Sequence, residues 1–115
     1  MLKIKRVYEK TTPDDGRRYL VDRLWPRGIK KGDLHIEGWL KEIAPSNELR
    51  KWFSHDPAKW DEFQARYKKE LKWGQNHMLS KITEESKVGN VTLIYAASDA
   101  EYNNAKALML LLDKL

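Results

Sequence analysis

Three observations predict an α/β domain built on a small, mostly parallel sheet flanked by helices. Val91-Thr92-Leu93-Ile94-Tyr95-Ala96-Ala97 runs almost continuously apolar, the pattern of a strand covered on both faces, as in a parallel sheet. Trp60, Phe63, Tyr67 and Leu71 recur at helical spacing behind the start signal Asp56-Pro57, where Asp accepts free first-turn amides and Pro at the first position loses nothing. Tyr19-Leu20-Val21-Asp22-Arg23-Leu24-Trp25 reads as an apolar strand with two charges set into it just before Pro26-Arg27-Gly28. At 115 residues, the chain is long enough for one core, so residues 1–115 form a single compact domain.

The elements follow in chain order. Leu2, Ile4 and Val7, interleaved with Lys3, Lys5 and Arg6, predict a first strand. Thr11 to Gly16 stacks turn formers, and a second strand spans about 18–24 before Pro26 and Gly28 end it. Asp33 is placed to cap a short helix carrying Leu34, Ile36, Trp39, Leu40 and Ile43, although Gly38 sits inside it. Ser46 caps another short helix with Leu49, Trp52 and Phe53 as its buried face. The helix behind Asp56 runs about 57–72 and is closed by Trp73-Gly74. Residues 75–87 form a further helix through Met78, Leu79 and Ile82, and Gly89-Asn90 turns into the apolar strand. Ser98-Asp99-Ala100-Glu101 matches a capping box, so the last helix starts there and continues through Ala105, Leu108, Met109, Leu112 and Leu115.

Composition narrows the function classes. Without cysteine there is no disulfide, no thiolate nucleophile and no sulfur-ligated metal. His35, His55 and His77 lack a short ligand spacing, so no metal site is expected. No stretch approaches a membrane span and Met1-Leu2-Lys3-Ile4-Lys5 is not a signal peptide, so a cytoplasmic protein without membrane contact is expected. The absence of a P-loop, a Gly-rich dinucleotide fingerprint, a nucleophile elbow and a His-Glu-x-x-His motif implies no recognisable cofactor. Net charge is +5, and its excess lies in residues 1–34, which hold ten Lys or Arg against five Asp or Glu. A cationic surface suits an anionic partner, while ordinary solubility is the plain alternative.

An unpaired buried charge is costly, so Asp22 and Arg23 need a reason. Either they satisfy each other as a structural pair, or they stand where a strand ends and a ligand begins. In open parallel sheets ligands bind beyond the carboxyl ends of the strands, and two such ends are identifiable, at Arg23–Gly28 and at Tyr95–Asp99. If those strands are neighbours, Arg23 and Arg27 converge with the start of the last helix on a phosphate or carboxylate. Gly28 would allow close backbone approach, Ser98 would add a hydroxyl, and Asn103 or Asn104 would hydrogen-bond the ligand. Asp22 either orients an arginine, which lowers its pKa, or acts as a general base. His55 either braces the turn beside Asp56 or acts as an acid–base group. The five tryptophans, all within 25–73, read as core rather than as a base-stacking platform.

Several ordered blocks resemble the YeaO-like branch of domain-of-unknown-function family 488. They are Val21-Asp22-Arg23-Leu24-Trp25-Pro26-Arg27-Gly28, Trp39-Leu40 through Ala44-Pro45-Ser46, Leu49-Arg50-Lys51-Trp52-Phe53 with His55-Asp56-Pro57, and Leu93-Ile94-Tyr95-Ala96-Ala97 followed by Asn103-Asn104-Ala105. The resemblance implies a compact cytoplasmic α/β domain and no established activity. Tyr102 departs from similar sequences, which often carry histidine there.

These readings favour a small anionic ligand at the strand ends, with or without turnover. A nucleic-acid-binding module using Lys3, Lys5, Arg6, Arg17, Arg18, Lys30 and Lys31 is the alternative from a second class. A protein–protein adaptor using the tryptophan-rich middle is the third.

Overall fold

Parallel pairing organises the computed structural model, which describes residues 1–72 and 76–114. The strands are β1 (Leu2–Arg6), β2 (Arg17–Leu20), β3 (Gly38–Trp39) and β4 (Val91–Tyr95), and the helices α1 (Asn47–Phe53), α2 (Trp60–Glu70), α3 (His77–Val88) and α4 (Asn104–Leu112). The sheet order is β1-β4-β2-β3 and every pairing is parallel. β4 lies inside the sheet with all five residues buried, which is why its sequence lacks polar alternation.

The two faces of the sheet are covered differently. Tyr19, Val21, Val91, Leu93 and Tyr95 share one core with α1 to α4, through side chains such as Leu49, Phe63, Ile82 and Leu108. Leu20 and Ile94 point the other way, into a smaller cluster with Val7 and Leu34, packed against Trp25, Ile36 and Trp39. Burying apolar surface at roughly 25 cal/mol per Å² makes the helical face the main source of cohesion.

Helix starts follow their caps. Ser46 Oγ accepts from Leu49 N at 3.1 Å, Asp56 Oδ1 from Ala58 N at 3.0 Å and Asn76 Oδ1 from Met78 N at 3.0 Å. The stretch behind Asp56 opens as a 3-10 turn over Pro57–Lys59 before α2 begins. Trp73, Gly74 and the start of the 75–87 helix at residue 75 lie outside the described residues, as does Leu115.

Three expectations require correction. The second strand ends at Leu20 rather than Leu24, because the backbone and side chains beyond it bond to the α4 start and to the loop after β4. Residues 34–43 form no helix. They contain β3 and a 3-10 turn at Lys41–Ile43, because Leu34, Ile36 and Trp39 serve the smaller cluster while Leu40 and Ile43 serve the helical one. The last helix starts at Asn104, not after Ser98: Asp99 Oδ1 takes the Glu101 and Tyr102 amides at 2.9 and 3.0 Å and closes a separate turn.

A buried ionic cluster occupies part of the second sheet face. Asp15, 1% exposed, accepts from Lys5 Nζ at 2.7 Å and Arg18 Nη1 at 2.6 Å, while Thr92 Oγ1 donates to its carbonyl at 2.6 Å. Burial alone would raise the Asp15 pKa, but the bonds from Lys5, Thr12 and Arg18 outweigh it and hold the carboxyl well below the usual range. Next to it, Gly16 has φ +63 and a Cβ there would meet Asn90 O at 2.1 Å, so glycine is required on two counts.

Replacing Asp15 with Asn is expected to cost about 3 kcal/mol at neutral pH in urea unfolding, the scale for breaking a buried pair. Because its folded pKa is depressed, the Asp15 contribution is complete above about pH 5 and is lost as pH falls through the folded value. The gap between wild type and D15N should therefore narrow in acid, and a gap independent of pH would contradict the assignment.

Candidate functional site

Since β2 and β4 are parallel neighbours, their carboxyl ends meet at one edge of the sheet. There the chain forms a cleft of about 800 Å³, within the range of small-molecule sites. Asp22, Arg23 and Arg27 reach it from the segment after β2, Ala96 and Ala97 from the segment after β4, and Asn104 from the start of α4. α1 and its exit contribute Asn47, Arg50, Lys51, Phe53, Ser54 and His55.

Asp22 ties these segments together. Its Oδ2 accepts from Ala96 N at 2.8 Å and its Oδ1 from Asn104 Nδ2 at 3.0 Å. Asn104 Nδ2 also donates to Val21 O at 2.9 Å, and Trp39 Nε1 donates to Asp22 O at 2.7 Å. Burial pushes the Asp22 carboxyl above its ordinary range, while the Asn104 and Ala96 bonds and the charge of Arg50 only partly counter it. The expected pairing of Asp22 with an arginine is absent, so the expected lowering of its pKa is reversed.

Arg23 turns to backbone carbonyls instead. Its Nε donates to Pro45 O and its Nη2 to Ala44 O, both at 3.1 Å. Two of its five N–H groups thus pin the β2 exit to the α1 entrance, and the rest stay available. Arg27 is exposed, and its guanidinium bonds to no other described residue; its carbonyl accepts from Tyr8 Oη at 2.9 Å.

The structure separates the remaining candidates. Gly28 lies off the cleft wall and has φ +78 with open space around a would-be Cβ, the left-handed backbone of a turn. Ser98 is exposed, off the wall and caps nothing. Asn103 is 1% exposed and is the true cap of α4: Oδ1 accepts from Lys106 N and Nδ2 donates to Asp99 O, each at 2.8 Å. Of the two asparagines, Asn104 alone lines the cleft.

His55 lines it too. Its Nδ1 lies 3.0 Å from Tyr102 O, and since a carbonyl carries no proton, Nδ1 is the donor and Nε2 of the neutral ring keeps its lone pair. Ser54 and His55 have φ +48 and +56, a left-handed pair that costs roughly 1–2 kcal/mol per residue. The Tyr102 ring packs edge-on against Trp60 at 5.4 Å.

Arg50 and Lys51 were not among the site residues named from the sequence. A signal for them exists: Asn47, Arg50 and Lys51 fall at i, i+3 and i+4, one face of α1, while Leu49 and Phe53 are its buried residues. Asn47 Oδ1 accepts from Arg50 Nη1 at 3.2 Å.

The four described tryptophans divide between the two cores. Trp25 and Trp39 meet edge to face at 5.4 Å and pack on the smaller cluster, while Trp52 and Trp60 pack on the larger. Among the described residues, no group of three or more acidic or histidine side chains is placed to hold a metal, and no helix is long and apolar enough to cross a membrane.

Comparison with known proteins agrees with the block pattern. The DUF488-N3i family, described as the inactive DUF488-N3 subclade, matches residues 1–115. The uncharacterized protein YeaO of Escherichia coli is 43% identical over 93% of this chain and 92% of its own length. Uncharacterized proteins of Mycobacterium tuberculosis and Mycobacterium bovis are 53% identical over 61% of this chain, and the match spans 59% of their own length. No solved structure matches.

Replacing Asn104 with Ala leaves Val21 O and Asp22 Oδ1 short of a donor, an expected cost of about 1–3 kcal/mol. It should also move the Asp22 carboxyl, followed by carbon NMR, higher still. Because the folded pKa of Asp22 exceeds its unfolded value, its burial subtracts stability at neutral pH, and that loss is relieved as pH falls through the folded value. An Asp22 titration unmoved in N104A would contradict the described bond.

Proposed function

Because the chain belongs to the DUF488-N3i family, whose description calls the subclade inactive, we propose that it binds a small phosphate- or carboxylate-bearing ligand without turning it over. The carrying observation is the charge of the strand-end cleft: Arg23, Arg27, Arg50 and Lys51 line it against the single carboxylate of Asp22. Cations gathered in a partly enclosed concavity attract anions far more strongly than the same charges spread over a surface, and guanidinium forks match phosphate and carboxylate oxygens.

Pairing elsewhere sharpens this reading. Lys3 pairs with Asp14, Lys5 and Arg18 with Asp15, and Arg17 with Glu85, while Arg6 Nε donates to Ala96 O and Ala97 O at 3.2 and 3.0 Å. Of the cations that would form a nucleic-acid face, Lys30 and Lys31 alone have no side-chain partner among the described residues. In the cleft, four cations face one carboxylate, and Arg27 and Lys51 have no side-chain partner among the described residues.

Thermal-shift titration with inorganic phosphate, sulfate and citrate at low salt tests the proposal. An anion at 100 times its Kd stabilises by about 2.7 kcal/mol, several degrees for a domain of this size. Arg27→Ala should abolish most of the shift and leave unliganded stability within about 0.5 kcal/mol, as for an exposed site. Arg23→Ala should lose both the shift and about 1–2 kcal/mol, since it also releases two buried carbonyls. The absence of any anion-induced shift, or an undiminished shift in R27A, would refute the proposal.

A further inference from the structure

Resting on that anion reading, we propose that the ligand carries its anionic group on a flat aromatic ring and is not a bare oxyanion. Apolar surface is left uncovered beside the cations of this cleft. Among the described residues the exposed large hydrophobics are Met1, Tyr8, Leu24 and Val88, and two of them, Tyr8 and Leu24, line this cleft. Exposed apolar surface beside convergent polar groups marks a surface that a ligand covers.

Tyr8 is built for the task. Its hydroxyl donates to Arg27 O at 2.9 Å, which fixes the ring beside the backbone that carries the unpartnered guanidinium. The Arg6 guanidinium lies 4.8 Å over the ring centroid and covers one face of it. The side chain remains 48% exposed, so a second ring has a surface to stack on, with its charge directed at Arg27. Offset or edge-on ring contacts add about 0.5–1.5 kcal/mol beyond area burial.

His55 supplies a second aromatic surface, held by Tyr102 O and by Phe53, whose ring centroid is 5.9 Å away. Behind it Phe53 stacks on Phe63 at 4.2 Å, so the imidazole sits on a rigid aromatic base. A cleft of about 800 Å³ is also the size that a ring-bearing ligand fills, whereas a bare oxyanion leaves most of it to water.

Calorimetric titration of the full chain with inorganic phosphate, phenyl phosphate and cyclohexyl phosphate tests this. Phenyl phosphate is expected to bind at least about tenfold tighter than phosphate, on the scale of burying one ring, and measurably tighter than cyclohexyl phosphate. Tyr8→Ala should bring phenyl phosphate to within about twofold of phosphate, and Leu24→Ser should reduce the same ratio if Y8A proves poorly folded. Equal binding of phenyl phosphate and phosphate would overturn the ring while the anion reading stands. Equal binding of the phenyl and cyclohexyl esters would overturn its aromatic character. Failure of all three to bind would remove the anion reading itself.

Discussion

The parallel pairing of β4 with β1 on one side and β2 on the other is the constraint on which everything else rests. It sends three chain segments out of the sheet at the same edge, and their first residues beyond the ladder bond to one another. Val7 N donates to Tyr95 O at 2.6 Å and Val21 N to Ile94 O at 3.0 Å, which extends the pairing past the regular strands. From that point Arg6 turns to the carbonyls of Ala96 and Ala97, Asp22 takes the Ala96 amide, and Asn104 closes the set from α4. The cleft is the space these exits cannot fill, because parallel strands cannot be joined by hairpins and their crossovers splay apart.

Much of this fold was legible because its signals are local. β4 announced itself by an unbroken apolar run, and α1 and α2 by caps followed by helical spacing, since a cap and an amphipathic stripe need only neighbours in sequence. The misread segments are those that serve two masters. Leu34, Ile36 and Trp39 face one core and Leu40 and Ile43 the other, so one set of apolar residues mimicked a helical stripe while passing around the β3 edge. Ser98 to Glu101 carried the letters of a capping box, yet Asp99 competes for the same amides, and Asn103 holds the real cap.

The site was legible in position more than in membership. Charges interrupting an apolar run marked the end of β2, and Asp22, Arg23 and Arg27 all reach the cleft as that interruption suggested. Their partners were not readable, because the Ala44 and Pro45 carbonyls that hold Arg23 and the Ala96 amide that holds Asp22 are backbone groups brought in by tertiary pairing. Net charge pointed to the first third of the chain, but Asp14, Asp15 and Glu85 pair with four of the ten cations there. The cations that line the cleft come from two short stretches of sequence, at 23–27 and 50–51. Charge counted along a chain ignores who is paired with whom.

Natural sequences keep local preferences consistent with the fold and depart from them where function requires it. Here the departures collect at one edge. Among the described residues, two of the three non-glycine residues with positive φ, Ser54 and His55, stand at the cleft, while the third, Lys72, follows α2. The carboxylate whose burial works against its charge, Asp22, is there, as are a guanidinium with no partner among the described residues and two of the exposed large hydrophobics. The left-handed pair and the buried carboxylate each cost stability. The Asp15 cluster shows that this chain can match buried charge completely when only structure is at stake. Leaving cations unmatched and a ring uncovered a few residues away is then a feature of the cleft, and an aromatic anion is the chemistry that would satisfy both.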